Sequence, residues 1–231
     1  MPGQFEGQVA VVTSAGRGYG RAVARALAGR GAMVVAMDGD ATSLGGAAAE
    51  IEAAGGQVIP IKVDLAQAAD AAAAFARVGD IYGRIHVLVA VAPLMSQAPF
   101  DRLATREWDE VFSANLRAIV AATQQAIRLM RAGSVVYVTP PGEAVSPQLA
   151  SARAALTGLA GALSPELAQR GIRVNCVVPA WPADIAGTTT ADVVGAVHFF
   201  AGPDSVSVSG QAVTVTAPRA ASPAETDDLG S

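Results

Sequence analysis

The chain has 231 residues, 52% of them hydrophobic, and a formal net charge of −4. That is enough apolar material for one domain with a full core and too much for a disordered chain. The weak negative charge supplies no basic stripe for nucleic acid or an anionic membrane, and no apolar run reaches membrane-spanning length. No leader-like segment precedes Val9, so a cytoplasmic protein is expected. Cys176 stands alone, which excludes an intrachain disulfide, and its apolar strand setting marks it as a small core residue. His86 and His198 lack metal-ligand spacing, so no metal is expected.

The first strand, Val9 to Val12, runs into a glycine-rich turn, Thr13 to Gly20, and then into a helical pattern closed by Gly31. A buried strand, a glycine turn and a helix form the entry to a nucleotide-binding α/β domain, where the backbone approaches a pyrophosphate and a helix N-terminus offers it free amides. An ordinary glycine-rich turn fits the same pattern. A second strand, Met33 to Met37, ends at Asp38, where a Rossmann domain holds the adenosine ribose. Asp38 would then favour NAD over NADP by repelling a 2′-phosphate; serving the turn DGDATS or capping the next helix is the competing role. A helix from Ser43 to Ala54 is weakened by Gly45 and Gly46. The third strand, Val58 to Val63, contains Pro60, which removes a ladder donor and places it at a sheet edge. Gln67 to Arg77 is helical. Ile85 to Val91 is a strand buried on both faces.

Thr105 is expected to cap a long helix to about Arg131, with Glu107, Asp109 and Glu110 favoured in its first turns by the helix dipole. Ser134 to Thr139 is the fifth strand, ended by Pro140-Pro141. Leu149 to Arg170 is a helix that Pro165 should kink by displacing the carbonyl of Gly161. Arg173 to Val178 is the sixth strand, Ala191 to Ala201 a short helix and Ala212 to Thr216 a seventh strand. Residues 1–217 read as one domain and 218–231 as a disordered tail. The alternation of strands and helices argues a doubly wound parallel sheet in three α/β/α layers, with strand order 3-2-1-4-5-6-7.

Several segments carry a family likeness. TSAGRGYG (Thr13 to Gly20) resembles a TGxxxGxG turn with its first glycine replaced by Ser14. Asp64-Leu65 resembles the Asp-Val/Leu pair beside the adenine. FSANLRA (Phe112 to Ala118), LASARAALTGL (Leu149 to Leu159), RGIRVNCVVPA (Arg170 to Ala180) and GQAVTVT (Gly210 to Thr216) follow in order. Together they resemble the short-chain dehydrogenase/reductase family from Gln4 to Thr216. The resemblance implies a Rossmann-type fold and a cofactor site that includes Ser14, Arg17, Gly18, Tyr19, Gly20, Asp38, Asp64 and Leu65.

The family's chemistry does not carry over with the fold. There a tyrosine transfers the proton, a lysine four residues on holds the nicotinamide ribose, a serine hydrogen-bonds the carbonyl and an asparagine supports a water. The aligned positions here hold Leu149, Arg153, Pro140 and Asn115. Leu149 cannot move a proton, Pro140 has no donor, and Arg153 is planar and never deprotonated. Thr139, Tyr137, Ser146 and Ser151 lie nearby, yet strand alternation turns the first two away and no base partners the serines. NNAG after the fourth strand reads Ala90-Val91-Ala92-Pro93, Tyr19 replaces a smaller residue, Ser14 adds a Cβ, and AWPADIAGTTT is short for a substrate lid. NAD, if any cofactor, is expected to bind weakly. The first reading is a non-catalytic subunit that pairs with an active homologue, as heterodimer or heterotetramer, through the Thr105–Arg131 and Leu149–Arg170 helices. A rearranged active oxidoreductase, homo-oligomeric in that case, and a dinucleotide-binding sensor or scaffold are the alternatives. Neither nucleic acid nor membrane is expected as a partner.

Overall fold

In a strand, alternate side chains face opposite layers, and this sorts the core of the molecule into two. The computed structural model describes residues 3–93, 98–141, 146–180 and 190–216. In β1 (Val9–Thr13), Val9 and Val11 join one apolar cluster while Ala10 and Val12 join the other. The same division runs through β2 (Met33–Asp38), β4 (Val87–Val91) and β5 (Gly133–Val138), which are almost wholly buried. Buried parallel strands of this kind read as continuous Val and Ala runs.

The helices cover both faces. α1 (Gly18–Ala28), α2 (Ala41–Ala53) and α7 (Thr190–Ala201) pack on one side. α3 (Ala68–Tyr82), α5 (Ala118–Leu129) and α6 (Pro147–Leu167) pack on the other. β3 (Gln57–Lys62), β6 (Ile172–Pro179) and β7 (Ala212–Val215) complete a parallel seven-stranded sheet in the order β3-β2-β1-β4-β5-β6-β7. This is a Rossmann-type α/β fold with β3 at an edge. Pro60 pairs in register with Ala36 and leaves its donorless side toward solvent.

Several local expectations change. The long helix after the fourth strand is α4 (Thr105–Phe112), then a π-helical turn over Ser113–Arg117, then α5. Single π turns inside helices insert an extra residue and cluster at functional sites. Thr105 is the first helical residue and not the cap; the Glu107 carboxylate accepts the Ala104 amide (3.1 Å) and supplies that role. α3 runs five residues past Arg77 to a left-handed Gly83. α6 passes unbroken through Pro165, which lies only two residues before the helix end at Leu167, before a 3₁₀ turn over Ala168–Arg170. Gly45 and Gly46 sit inside an intact α2 because Asp40 caps it strongly, accepting the amides of Thr42 (2.9 Å) and Ser43 (3.2 Å). The proposed tail at 218–231 and most of the short segment after Pro179, residues 181–189, lie outside the described residues.

Candidate functional site

The turn between β1 and α1 is set by two residues. Ser14 has φ +50°, the left-handed region that glycine occupies without cost. Its Oγ donates to the carbonyl of Val91 (2.9 Å), while Thr13 Oγ1 accepts the Val91 amide (2.9 Å). The last residue of β4 is thus held on both sides by consecutive side chains of the turn. The close approach expected at Ser14 falls instead at Gly20, where a Cβ would lie 2.1 Å from the Ser14 carbonyl oxygen. Arg17 enters α1 in an extended conformation and its side chain makes no cap bond, so it does not compete with an anion for the helix N-terminus. Tyr19 is half-buried and packs on the α1-side core.

Asp38 serves the turn that was the competing role for it. Its Oδ2 accepts the Gly16 amide (2.9 Å) and its Oδ1 the Asp40 amide (3.0 Å), which shapes the turn. It also lines a cleft of about 540 Å³. Each carboxylate oxygen has lone-pair capacity left for a ribose hydroxyl. Arg17 reaches out of this cleft to Asp40 (2.6 Å). The amides of Ser43 and Thr42, and then Arg17, hold the Asp40 carboxyl below the usual carboxylate range.

Met37, Asp38, Asp64 and Leu65 border one end of the cleft; Thr13, Ser14 and Arg17 form its middle. Val91, Pro93 and the π-turn residues Ser113 and Ala114 border the other end. The charged side chains on its walls are Arg17, Asp38, Asp64 and Glu110, an acidic balance. Gly18 and Gly20 shape the turn beneath without appearing on its walls. Thr13 and the π turn escaped sequence reasoning. The Thr at the start of the turn was a readable signal; the π turn has none in a helix-forming stretch.

The β5–α6 end is different. Leu149 and Asn115 are both 0% exposed. Pro140 and Pro141 are buried, and the Thr139 hydroxyl donates to the Pro140 carbonyl (3.0 Å). Arg153 directs Nη1 to the Pro141 carbonyl (2.5 Å), tying α6 to the chain after β5. Asn115 Nδ2, in the π turn, donates to the Val111 carbonyl of α4 (3.0 Å), and its Oδ1 has no partner among the described residues. Both ends of the Gln148 amide, and Ser146 Oγ, are likewise buried without partners among the described residues. Ser151 donates to the Pro147 carbonyl (2.8 Å) as an ordinary helix hydroxyl.

Nearby titratable groups are equally unsuited to proton transfer. Burial drives the Tyr137 phenol well above its ordinary value, and its hydroxyl is shared with Thr123 Oγ1 (3.1 Å) deep in the core. Burial pushes the Cys176 thiol up to about 12. Among the described residues no cluster of His, Cys, Asp and Glu that could hold a metal is present, and no helix is long and apolar enough to cross a membrane.

Residues 8–189 match the short chain dehydrogenase family. The chain belongs to that family. An oxidoreductase of Methylorubrum extorquens is 36% identical over 200 residues, covering 83% of this chain and 79% of that protein. The 3-oxoacyl-[acyl-carrier-protein] reductase of Vibrio harveyi is 30% identical over 239 aligned positions, covering 91% of this chain and 96% of that one. A short chain dehydrogenase from Burkholderia cenocepacia, solved in complex with NADP, superposes with a TM-score of 0.84 at 30% identity, covering 92% of this chain and 98% of that one. A dehydrogenase/reductase from Sinorhizobium meliloti does so with a TM-score of 0.84 at 28% identity.

For a dehydrogenase of this family the resident cofactor is a nicotinamide dinucleotide, which supplies or accepts hydride when bound. The two regions fit it unequally. The N-terminus of α1, which the Arg17 side chain does not cap, suits the pyrophosphate, and Asp38 suits the adenosine ribose. At the β5–α6 end, whose residues Pro140, Leu149 and Arg153 are not among those lining the cleft, the Arg153 guanidinium is engaged with the Pro141 carbonyl, and the side chains of Leu149 and Pro140 carry no polar atom.

Proposed function

We propose that this chain is a dehydrogenase-fold subunit that takes part in an NAD-dependent oxidoreductase without carrying out alcohol–ketone redox in its own site. The observation that carries the reading is the pairing of Leu149 and Pro140 at the positions where the family places its proton-transferring tyrosine and carbonyl-binding serine. A positioned general acid–base contributes about 10²- to 10⁴-fold in rate. An oxyanion donor contributes about 10²- to 10³-fold more, though such effects rarely add independently. Arg153 and Asn115 alone replace neither. NAD is favoured over NADP because Asp38 and Asp64 would repel a 2′-phosphate, and affinity in the isolated chain is expected to be weak.

The subunit's role would be to pair with an active homologue. A groove on the outer side of α4 and α5 supports this: Phe112, Leu116 and Val120 form its apolar wall, with Arg106 and Arg117 beside Asp109 and Glu110. Mixed charges around an apolar strip suit a related helix pair arriving across a twofold axis. The compartment consistent with this reading is the cytoplasm.

A second reading has its own support. Relatives named as oxidoreductase and reductase lie at 36% and 30% identity, which favours a divergent but active oxidoreductase. One experiment separates the two. The chain is purified alone and co-expressed with an intact homologue, followed by mass measurement and NAD(P)-linked assay of each species. The non-catalytic reading expects no turnover by the chain alone and a mixed complex. It also expects Leu149→Tyr, Arg153→Lys and Pro140→Ser together to leave activity at background, since Pro93 and the chain after β5 still misplace the reactants. Turnover by the chain alone establishes the second reading, and a strict monomer removes the first.

A further inference from the structure

We infer that the ligand this chain recognises is an adenosine 5′-diphosphate group, and that whatever the group carries beyond its second phosphate contributes nothing to binding. The inference rests on the reading above that the cleft takes a nucleotide, and it assigns all the recognition to one half. The cleft runs from Met37, Asp38, Asp64 and Leu65 across the β1–α1 turn to Val91 and the π turn. Those are the elements that surround an adenine, its ribose and two phosphates.

Among the described residues, the family positions expected to meet a nicotinamide riboside are engaged with the chain itself or apolar. The Arg153 guanidinium donates to the Pro141 carbonyl at 2.5 Å, across 12 residues of sequence. That bond draws a charged donor to the backbone on which Pro140 sits. The Thr139 hydroxyl turns to the Pro140 carbonyl (3.0 Å) and, more distantly, that of Val177 (3.5 Å). Leu149 and Ala152 on the first turns of α6 are fully buried, so this face of the helix is core.

The turn, by contrast, is held independently of that half. Val91 is fixed by Thr13 and Ser14, Asp38 by the amides of Gly16 and Asp40, and Asp40 in turn by Arg17 and the start of α2. None of these bonds involves β5 or α6. A diphosphate therefore meets a preorganised turn, while a nicotinamide riboside meets groups already committed elsewhere. Ligand groups that find no complementary partner add cost and no affinity. The acidic wall composition further disfavours a longer phosphate chain or a 2′-phosphate.

The test is calorimetry on the purified full-length chain with ADP, ADP-ribose, NAD⁺ and NADP⁺. ADP, ADP-ribose and NAD⁺ are expected to bind within about threefold of one another and NADP⁺ at least tenfold more weakly. ADP-ribose or NAD⁺ binding more than tenfold tighter than ADP overturns the inference while leaving the nucleotide cleft intact. Silence from all four probes removes the nucleotide reading itself and the inference with it. Arg153→Ala supplies the second readout: it should leave the affinities of NAD⁺ and ADP-ribose relative to ADP unchanged. A fivefold loss for both NAD⁺ and ADP-ribose with ADP unaffected would show that Arg153 holds the second ribose, and so overturns the assignment. The wild-type panel decides the matter even where the variant does not fold.

Discussion

At the β1–α1 turn, the departure from the family pattern at Ser14 is met by a new bond: the hydroxyl that comes with the extra Cβ holds the Val91 carbonyl. At the β5–α6 end, the departures at Pro140, Leu149 and Arg153 become packing and backbone ties instead of functional groups. The first region keeps a shape that a ligand can use. In the second, the same positions are occupied by packing side chains and a side-chain-to-backbone tie. The difference teaches that fold and site can vary separately, because the sheet and helices depend on apolar burial while proton transfer depends on single polar atoms.

The sharpest way to break the comparison is at its rigid end. Gly20→Val places a Cβ against the Ser14 carbonyl, where the glycine position leaves 2.1 Å. Because both partners are backbone, relief requires α1 to move off the sheet, and a loss of more than about 4 kcal/mol is expected. Denaturant unfolding and NAD⁺ titration should both register it; a normally folded variant would show that the turn is pliable.

Leu149→Ala addresses the other end. A leucine that merely fills an emptied catalytic position would be cheap to remove. One that has become core, at 0% exposure, should cost about 3 kcal/mol through lost burial and the cavity left behind. Urea unfolding that shows less than about 1 kcal/mol would return Leu149 to the wall of an open site.

A smaller effect comes from the histidines beneath the sheet and α7. His86 Nδ1 accepts the Val9 amide (2.9 Å), and burial followed by Arg84 lowers its pKa. His198 is buried against Phe5, and burial followed by Arg30 lowers its pKa from 6.5 to about 4. Both hold a proton less readily folded than unfolded. Their contribution is therefore full above 6.5 and is lost as pH falls from there toward about 4. Melting temperature should fall across that window, more gently in His198→Leu, and the nucleotide cleft should follow only through global unfolding. A flat profile in the wild type would contradict the assignment of neutral, structural rings.

Ser14→Gly is the mildest change and the finest probe of compensation. Glycine relieves a left-handed strain of about 1 kcal/mol and forfeits a hydrogen bond worth about as much. Stability should stay within about 0.5 kcal/mol of the parent by denaturant unfolding. A loss of 2 kcal/mol would make the Ser14–Val91 bond a principal support of the cleft.

Periodicity and punctuation in the chain were sufficient for the strand order, the edge position of β3 and both apolar faces. Those features rest on burial summed over whole elements, to which no single residue is decisive. The glycine turn, Asp38 and Asp64 were likewise readable, because a turn of that spacing after a buried strand leaves few backbone paths. The π turn at Ser113–Arg117 was not, since its residues form an ordinary helix as readily and only packing selects the extra residue per turn. Nor could the chain alone show that Ser14 and Thr13 clasp Val91, 77 and 78 residues away in sequence, or that Arg153 turns to the Pro141 carbonyl. Hydrogen bonds of that kind form between groups that only the sheet brings together, and their geometry is decided within fractions of an ångström by the tertiary structure.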